Sequence, residues 1–449
     1  MSVQVIDILG LVGLKPLRVI DAGDHYRVEA EGRVLPTACP ACFQGLYRHG
    51  SQPQTYLDTP MHGKRVLIEL DRKRYRCKAC GKTLFEPLPD MDSKRLATTR
   101  LVQYVERHCL RKTFAELSRE VGVDEKTVRH IFDDYVAGLK DSVVFEPPEL
   151  LGIDELKIIG QYRCMLTNVE RLALFDMLPT RAKADLLTYF KAMPGKEKVK
   201  VLTMDLWSVY RQVAQDQFPG RMIVADRFHV VRMANDSVER VRKAIRKDLS
   251  TKDRIKLKDD RFVLLSRKHN LGEAGLAKLE AWELQYPALV AAYEAKEAFH
   301  DIYSQPTKDD AIRAALEWEA SLPPIVADAF RETRGALRSW WNEIFNYYDC
   351  PISNAYTESI NNLAKGMNRM GRGYSFDVIR ARLLYDDDAR KDTRTTIRKK
   401  PRKAAPTFSG MGRMVPSMVA GLGAVEETVI EYGPYIPTLI RKLNAGEFE

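Results

Sequence analysis

"LGIDELKII" (151–159) is a short apolar segment carrying two adjacent carboxylates, and "YRCMLTNV" (162–169) and "RLALFDML" (171–178) follow it closely. Three brief apolar runs so closely spaced predict an antiparallel meander. "RAKADLLTYFKAM" (181–193) has helical spacing and "KVKVLTMD" (198–205) reads as a buried strand. A second helix over 207–217 and a further strand, "RMIVAD" (221–226), complete the run. The order is three strands, helix, strand, helix, strand. Asp154 lies within the first strand and Asp205 ends the fourth. If those two strands are neighbours, the carboxylates meet on one sheet, where an unpaired Asp is costly. Each alone has a plainer explanation, since an Asp at a strand end often begins a turn. Two alternatives stand beside them. Glu155 adjoins Asp154, although successive strand residues face opposite ways; Asp226 ends the fifth strand and competes with Asp205.

Residues 230 to 345 contain no convincing strand, and "VERVRKAIRKDL" and "EAGLAKLEAWELQYPALVAAYEAKEAF" look helical. "SNAYTESINN" (353–362) then opens a helix that aligns Asn354, Glu358, Asn361, Asn362 and Lys365 along one side. Ile352, Tyr356, Ile360 and Leu363 fall on the other side and are expected to pack inward. Glu358 on a helix crossing the sheet would complete an all-oxygen site with Asp154 and Asp205. Hard divalent ions, Mg²⁺ or Mn²⁺, take such ligands, and two of them activate water and stabilise a leaving oxygen in phosphodiester cleavage. The plainer reading of Glu358 is a solvent-facing or capping carboxylate.

Towards the N-terminus, four of the seven cysteines form two pairs, Cys39-Pro-Ala-Cys42 and Cys77-Lys-Ala-Cys80. Two such knuckles complete the tetrahedral thiolate shell of a structural zinc, with Gly81 suited to the turn beneath the metal. "RVLIELDRKRYRC" between the pairs alternates as a half-buried strand does. His49 and His62 lie nearby, but four thiolates already fill the site. Cys109, Cys164 and Cys350 are scattered and read as small buried hydrophobes.

"TFAELSREVGVDEKTVRHIFDDYV" (113–136) follows an apolar-periodic helix (96–110). Thr113 and Glu116 form a capping box, Gly122 makes the turn, and Asp124 caps a second helix. This is the pattern of a helix-turn-helix. Lys126, Thr127, Arg129 and His130 would face outward near the second helix's N-terminus, where such helices reach base edges. Prolines in "FEPPEL" mark the linker to the strands.

At 449 residues the chain exceeds what one core organises. The net charge of +10 points weakly to a polyanionic partner. "GKRVLIELDRKRYRCKACGK" (63–82) and "RKDTRTTIRKKPRK" (390–403) concentrate the basic residues. No apolar run is long enough to span a membrane and "MSVQVIDILG" lacks a basic leader, so a cytoplasmic protein is expected, nucleoid-associated when bound to DNA.

The two knuckles, the helix-turn-helix, "GIDE", "TMDLWSVY", "ADRFHV" and "NAYTESINNLAKGMNRMGRGY" together resemble the bacterial insertion-sequence transposases of the ISL-three family, from about residue 36 to 390. These are DDE transposases with a ribonuclease-H-like catalytic domain. The resemblance implies Asp154, Asp205 and Glu358 as the catalytic triad and an all-helical insertion before Glu358. Asp226 and His229 match an accessory Cys- or Asp-x-x-His element. Lys365, Arg369 and Arg372 would hold the DNA backbone near the metals, or merely solvate that helix end.

A multidomain α+β protein follows. A zinc-ribbon-like head (1–90) and a helix-turn-helix domain (91–145) precede a catalytic domain in two parts (146–230 and 346–395), split by a helical insertion (231–345). A basic extension (396–449) ends the chain. The expected partners are double-stranded DNA, both element terminal inverted repeats and target, and further copies of the chain, since two ends must be synapsed. The expected activity is metal-dependent strand cleavage and strand transfer. A DNA-binding regulator on a transposase scaffold, or a nuclease without strand transfer, are the competing readings.

Overall fold

The structure is a computed structural model, and it describes residues 9–386, the side chains of 258 and 259 aside. The basic run 390–403 and the extension 396–449 lie outside the described residues, as do residues 387–395 of the expected second catalytic part.

The N-terminal sheet comprises β1 (Leu14–Asp21), β2 (His25–Gly32), β3 (Leu46–Met61), β4 (Lys64–Cys77) and β5 (Thr83–Phe85). Its order is β1-β2-β4-β3, with β5 beside β4. The alternation expected in β4 is real: Val66, Ile68 and Leu70 are buried and pack with Leu14, Val28 and Tyr56 in a small core. Beyond Leu70 the β3–β4 pair leaves that core and carries the cysteines at its far end.

Three capped helices follow. In α1 (Thr99–His108) the Thr98 hydroxyl accepts from the Leu101 N–H. Thr113 accepts from the Glu116 N–H in α2 (Phe114–Val121), and Asp124 accepts from the Thr127 N–H in α3 (Glu125–Ser142). Each such cap contributes on the order of 1 kcal/mol. Gly122 ends α2 with φ +82°, the left-handed turn predicted for it. A rigid joint ties these helices to the head. Buried Asp58 of β3 accepts from the Thr98 hydroxyl at 2.7 Å and from the Arg100 guanidinium.

The second sheet contains β6 (Leu150–Ile158), β7 (Gln161–Asn168), β8 (Ala173–Leu178), β9 (Val201–Met204) and β10 (Met222–Ala225), interleaved with α4 (Lys183–Ala192) and α5 (Ser208–Gln217). Its order is β10-β9-β6-β7-β8. The first three strands pair antiparallel, while β9 runs parallel to both β6 and β10. The strand and helix order expected from residues 151–226 is the order found.

A long helical stretch comes next, beginning with α6 (Arg227–Lys247), α7 (Thr251–Asp259), α8 (Arg261–Leu265) and α9 (Glu273–Gln285). It continues through α10 (Pro287–Ile302), α11 (Lys308–Ser321), α12 (Pro324–Ala327), α13 (Arg331–Ser339) and α14 (Trp341–Phe345). Finally α15 (Ala355–Gly371) and α16 (Phe376–Tyr385) return to the sheet.

The two faces of the sheet serve different layers. Leu151, Ile153, Cys164 and Leu166 pack with α4, α5 and the helical stretch. Leu156, Ile158, Met165 and Met177 pack with α15, α16 and the capped helices α1–α3. The Tyr374 hydroxyl accepts from the Phe114 N–H at 3.1 Å, joining α2 to the segment after α15. Among the described residues no helix is long and apolar enough to cross a membrane.

Candidate active site and metal centre

Ile153, Met204 and Ala225 are in register across β6, β9 and β10, and each is followed by an aspartate. Because the strands are parallel, Asp154, Asp205 and Asp226 form a row across the sheet with Asp205 in the middle. Asp154 and Asp226 are buried.

Helix α15 lies over this row because Gly152 admits it. A Cβ at Gly152 would meet Thr167 Oγ1 at 2.4 Å and Asn354 Oδ1 at 2.7 Å. Asn354 donates its amide to the Ile153 carbonyl at 3.1 Å, and its backbone N–H to Asp226 Oδ1 at 3.2 Å. Two turns on, the Asn361 amide donates to Asp154 Oδ2 at 2.8 Å and to the Glu155 carbonyl. The Thr167 and Thr357 hydroxyls meet at 2.7 Å between these clamps. Asn354 and Asn361 are therefore fasteners to the strands, while Asn362 is exposed. Leu363, expected to pack inward, is instead 39% exposed, since α15 turns that edge beyond the sheet.

Glu358 sits in the first turn of α15 and is exposed. It lines a cleft of about 510 Å³ with Asp154, Asp205, Asp226, His229 and Lys365. Glu155 also lines the cleft but is taken up in a pair with Arg181, whose guanidinium lies 4.0 Å from the Tyr162 ring centroid and 4.4 Å from that of Trp207. Nothing in the sequence marked Arg181.

His229, in the first turn of α6, has Nδ1 at 2.9 Å from both Asp205 Oδ1 and Asp226 Oδ2. The bond is better aligned on Asp226, so Asp205 Oδ1 is at most the weaker branch of a shared contact. Asp205 Oδ1 is buried and has no well-aligned donor among the described residues. Burial, and then the neighbouring Asp205 carboxylate, push Asp154 up to about 8. Burial disfavours a charged His229, but its contacts with Asp205 and Asp226 outweigh that and hold it up at about 10. Crowded carboxylates, one with an oxygen lacking an aligned donor, suit a hard divalent cation.

The four cysteines of the head also come together, their sulfurs within 4.8 Å of one another. Cys39 and Cys80 are 3.6 Å apart, and Cys42 and Cys77 3.4 Å. Tetrahedral thiolates about 2.3 Å from zinc would stand roughly 3.8 Å apart, so the set fits that ion. Backbone N–H groups, from Cys80 first, lower Cys77 to about 6, which favours the ligating thiolate. His49 and His62 are not part of this cluster.

Of the four α3 residues expected to face outward, Lys126 and His130 are exposed. The other two are partly taken up by the fold. The Thr127 hydroxyl donates to Asp124 at 2.7 Å, and half-buried Arg129 lies 5.5 Å from the Phe114 ring centroid. Lys365, Arg369 and Arg372 are exposed, and only Lys365 of these lines the cleft.

Comparison with known families matches residues 35–80 to the zinc-finger of transposase IS204/IS1001/IS1096/IS1165, and residues 86–136 to the helix-turn-helix domain of transposase family ISL3. Residues 151–383, just over half of the chain, match the DDE transposase family of the same name. The chain is also similar to the transposase for insertion sequence element IS1001 of Bordetella parapertussis, with 21% identity over 354 residues, covering 76% of this chain and 87% of that protein. With a zinc ribbon, a helix-turn-helix and a DDE domain in that order, the chain belongs to the ISL3 family of transposases.

Proposed function

We propose that the chain binds the ends of its insertion element and carries out divalent-metal-dependent DNA strand cleavage and strand transfer at the cleft under α15. The observation that carries this is the row of Asp154, Asp205 and Asp226 facing Glu358 in one cleft, with Asp205 Oδ1 buried and lacking an aligned donor. Asp154, Asp205 and Glu358 would hold Mg²⁺ or Mn²⁺. When bound there, two such ions supply charge stabilisation at the attacking and leaving oxygens of a phosphodiester. Asn361 orients Asp154, and the Asp226–His229 pair braces Asp205 from the far side. Lys365, exposed on the cleft wall, is placed to meet a DNA phosphate, with Arg369 and Arg372 further along the same helix end.

The sheet order, with three antiparallel strands and two parallel ones, supports reading the catalytic domain as ribonuclease-H-like, with 231–345 inserted between its parts. The head and α1–α3 would read the element ends through Lys126 and His130, with Arg129 anchored on Phe114. Two copies or more would pair the two ends. The test is incubation with Mg²⁺ and labelled element-end DNA. Nicked and joined products support the reading, and a chain that binds ends but never cleaves them favours a regulator.

A further inference from the structure

The far end of the β3–β4 pair has a charge pattern that the cleft does not use. Residues 37–57 and 72–85 contain seven Lys or Arg and no Asp or Glu. Among the described residues, Arg48, Arg74, Arg76, Lys78 and Lys82 enter no ion pair with a carboxylate, and four thiolates on one zinc would offset about two of the seven charges, so the tip stays cationic. Aromatic rings alternate with them: Tyr47 stands opposite Arg76, and Arg48 opposite Tyr75. Cations therefore occupy both faces of the ribbon, whereas a merely solvated surface would mix signs.

The distance from the helix-turn-helix is set by the backbone. Gly122, the turn between α2 and α3, abuts Arg65 of β4, whose guanidinium also donates to the Arg119 carbonyl at 3.3 Å. Arg74 and Arg76 lie nine and eleven residues further along the same strand. At about 3.3 Å per residue, that is roughly 30–36 Å. One turn of B-DNA spans about 34–36 Å. The Asp58–Arg100 joint fixes the ribbon to the helices, so this separation is built in.

We propose that the ribbon tip grips the DNA backbone about one helical turn from the segment met by α3, adding phosphate contacts to the helix-turn-helix. This rests on the reading of α2 and α3 as DNA-binding. The tip is committed to duplex DNA because surplus cations at that spacing match successive turns of its phosphates.

The experiment is hydroxyl-radical footprinting of the full chain, without Mg²⁺, on a duplex carrying the end of the element that encodes it. The expected result is two protected segments about 10 bp apart. Lys78→Gln with Lys82→Gln should erase only the distal one. Those two side chains have no polar partner among the described residues, so zinc content and melting temperature should not change. Arg74 and Arg76 also donate to the His49 and Gly81 carbonyls, so Arg74→Ala with Arg76→Ala is read only where zinc content is retained, and it should then lower the slope of log K against log salt by about 2. A distal segment that survives both pairs of changes, or a single segment at α3 in the wild type, overturns the proposal while leaving the helix-turn-helix reading intact. No protection anywhere overturns both. Equal competition by duplex RNA overturns the assignment to DNA.

Discussion

Asn361 Nδ2 lies 2.8 Å from Asp154 Oδ2, a bond between helix and strand made across 207 positions of sequence. The same amide reaches the Glu155 carbonyl at 3.3 Å, so one side chain fixes both the acid and the strand that carries it. Asn361→Ala should destabilise the folded chain by about 1–3 kcal/mol, since a buried acceptor loses its donor. Cleavage should fall further than stability explains, with element-end binding nearly unchanged. Urea unfolding alongside cleavage and binding assays checks this. Equal losses of binding and cleavage would show that Asn361 only holds the fold together.

Gly152→Ala tests the approach of α15 to the sheet. The added methyl collides with Thr167 and Asn354 side chains that are themselves hydrogen-bonded. Overpacking of this kind costs roughly 1–3 kcal/mol. The expected outcome is loosened hydrogen-exchange protection in residues 355–364 and lost cleavage, with α1–α3 undisturbed. Unchanged protection would mean that the helix shifts at little cost.

The strands of residues 150–226 were legible because each buries most of its side chains, leaving apolar runs with few alternatives. The cysteine knuckles were legible because metal geometry dictates spacing. β1 and β2 were not anticipated. β1 buries only two of its eight residues, so its charged side chains hide the pattern. Local periodicity placed Asn354 and Asn361 on one side of a helix but could not name Ile153 or Asp154 as their partners. Arg129 shows the same limit: its own helix turns it outward, and Phe114 of the preceding helix covers it.

Stability should depend on pH in a direction that metal reverses. Asp154 is held up at about 8 against an ordinary value near 3.9, so between those limits the folded chain keeps a proton the unfolded chain has lost. Stability therefore falls as pH rises through that window, and His229, held up at about 10, extends the fall above roughly pH 6.5. A divalent cation needs the charged carboxylates, so Mg²⁺ should raise the melting temperature more near pH 9 than near pH 6. Melting curves across pH, with and without Mg²⁺, measure both slopes. A shift that grows as pH falls would contradict the carboxylate site.

Zinc should hold the ribbon tip and not the whole head. The cysteines lie beyond the core formed by Leu14, Val28, Val66 and Ile68, which can persist without metal. Metal analysis should find about one zinc per chain, and Cys77→Ser should release it. The consequence expected by hydrogen exchange is fraying confined to residues 37–49 and 73–82. Collapse of β1 and β2 as well would show that zinc organises the entire sheet.

The choice between Asp205 and Asp226 turns on their donors. Both carboxylate oxygens of Asp226 are occupied, Oδ1 by the Asn354 N–H and Oδ2 by His229. Asp205 keeps a buried oxygen without an aligned donor, and although Asp205, Asp226 and His229 all lie close enough to share an ion, we propose Asp205 as the ligand and Asp226 as the brace. Asp205→Asn should abolish cleavage, by at least about 1000-fold, and remove the Mg²⁺-dependent rise in melting temperature. It should be hardly worse when combined with Asp154→Asn, because members of one catalytic unit are strongly non-additive. Asp226→Asn still accepts from Asn354 through its remaining oxygen, so it should lower cleavage less and keep the Mg²⁺ effect. If Asp226→Asn removes the Mg²⁺ effect while Asp205→Asn retains it, the second ligand is on β10 and not on β9.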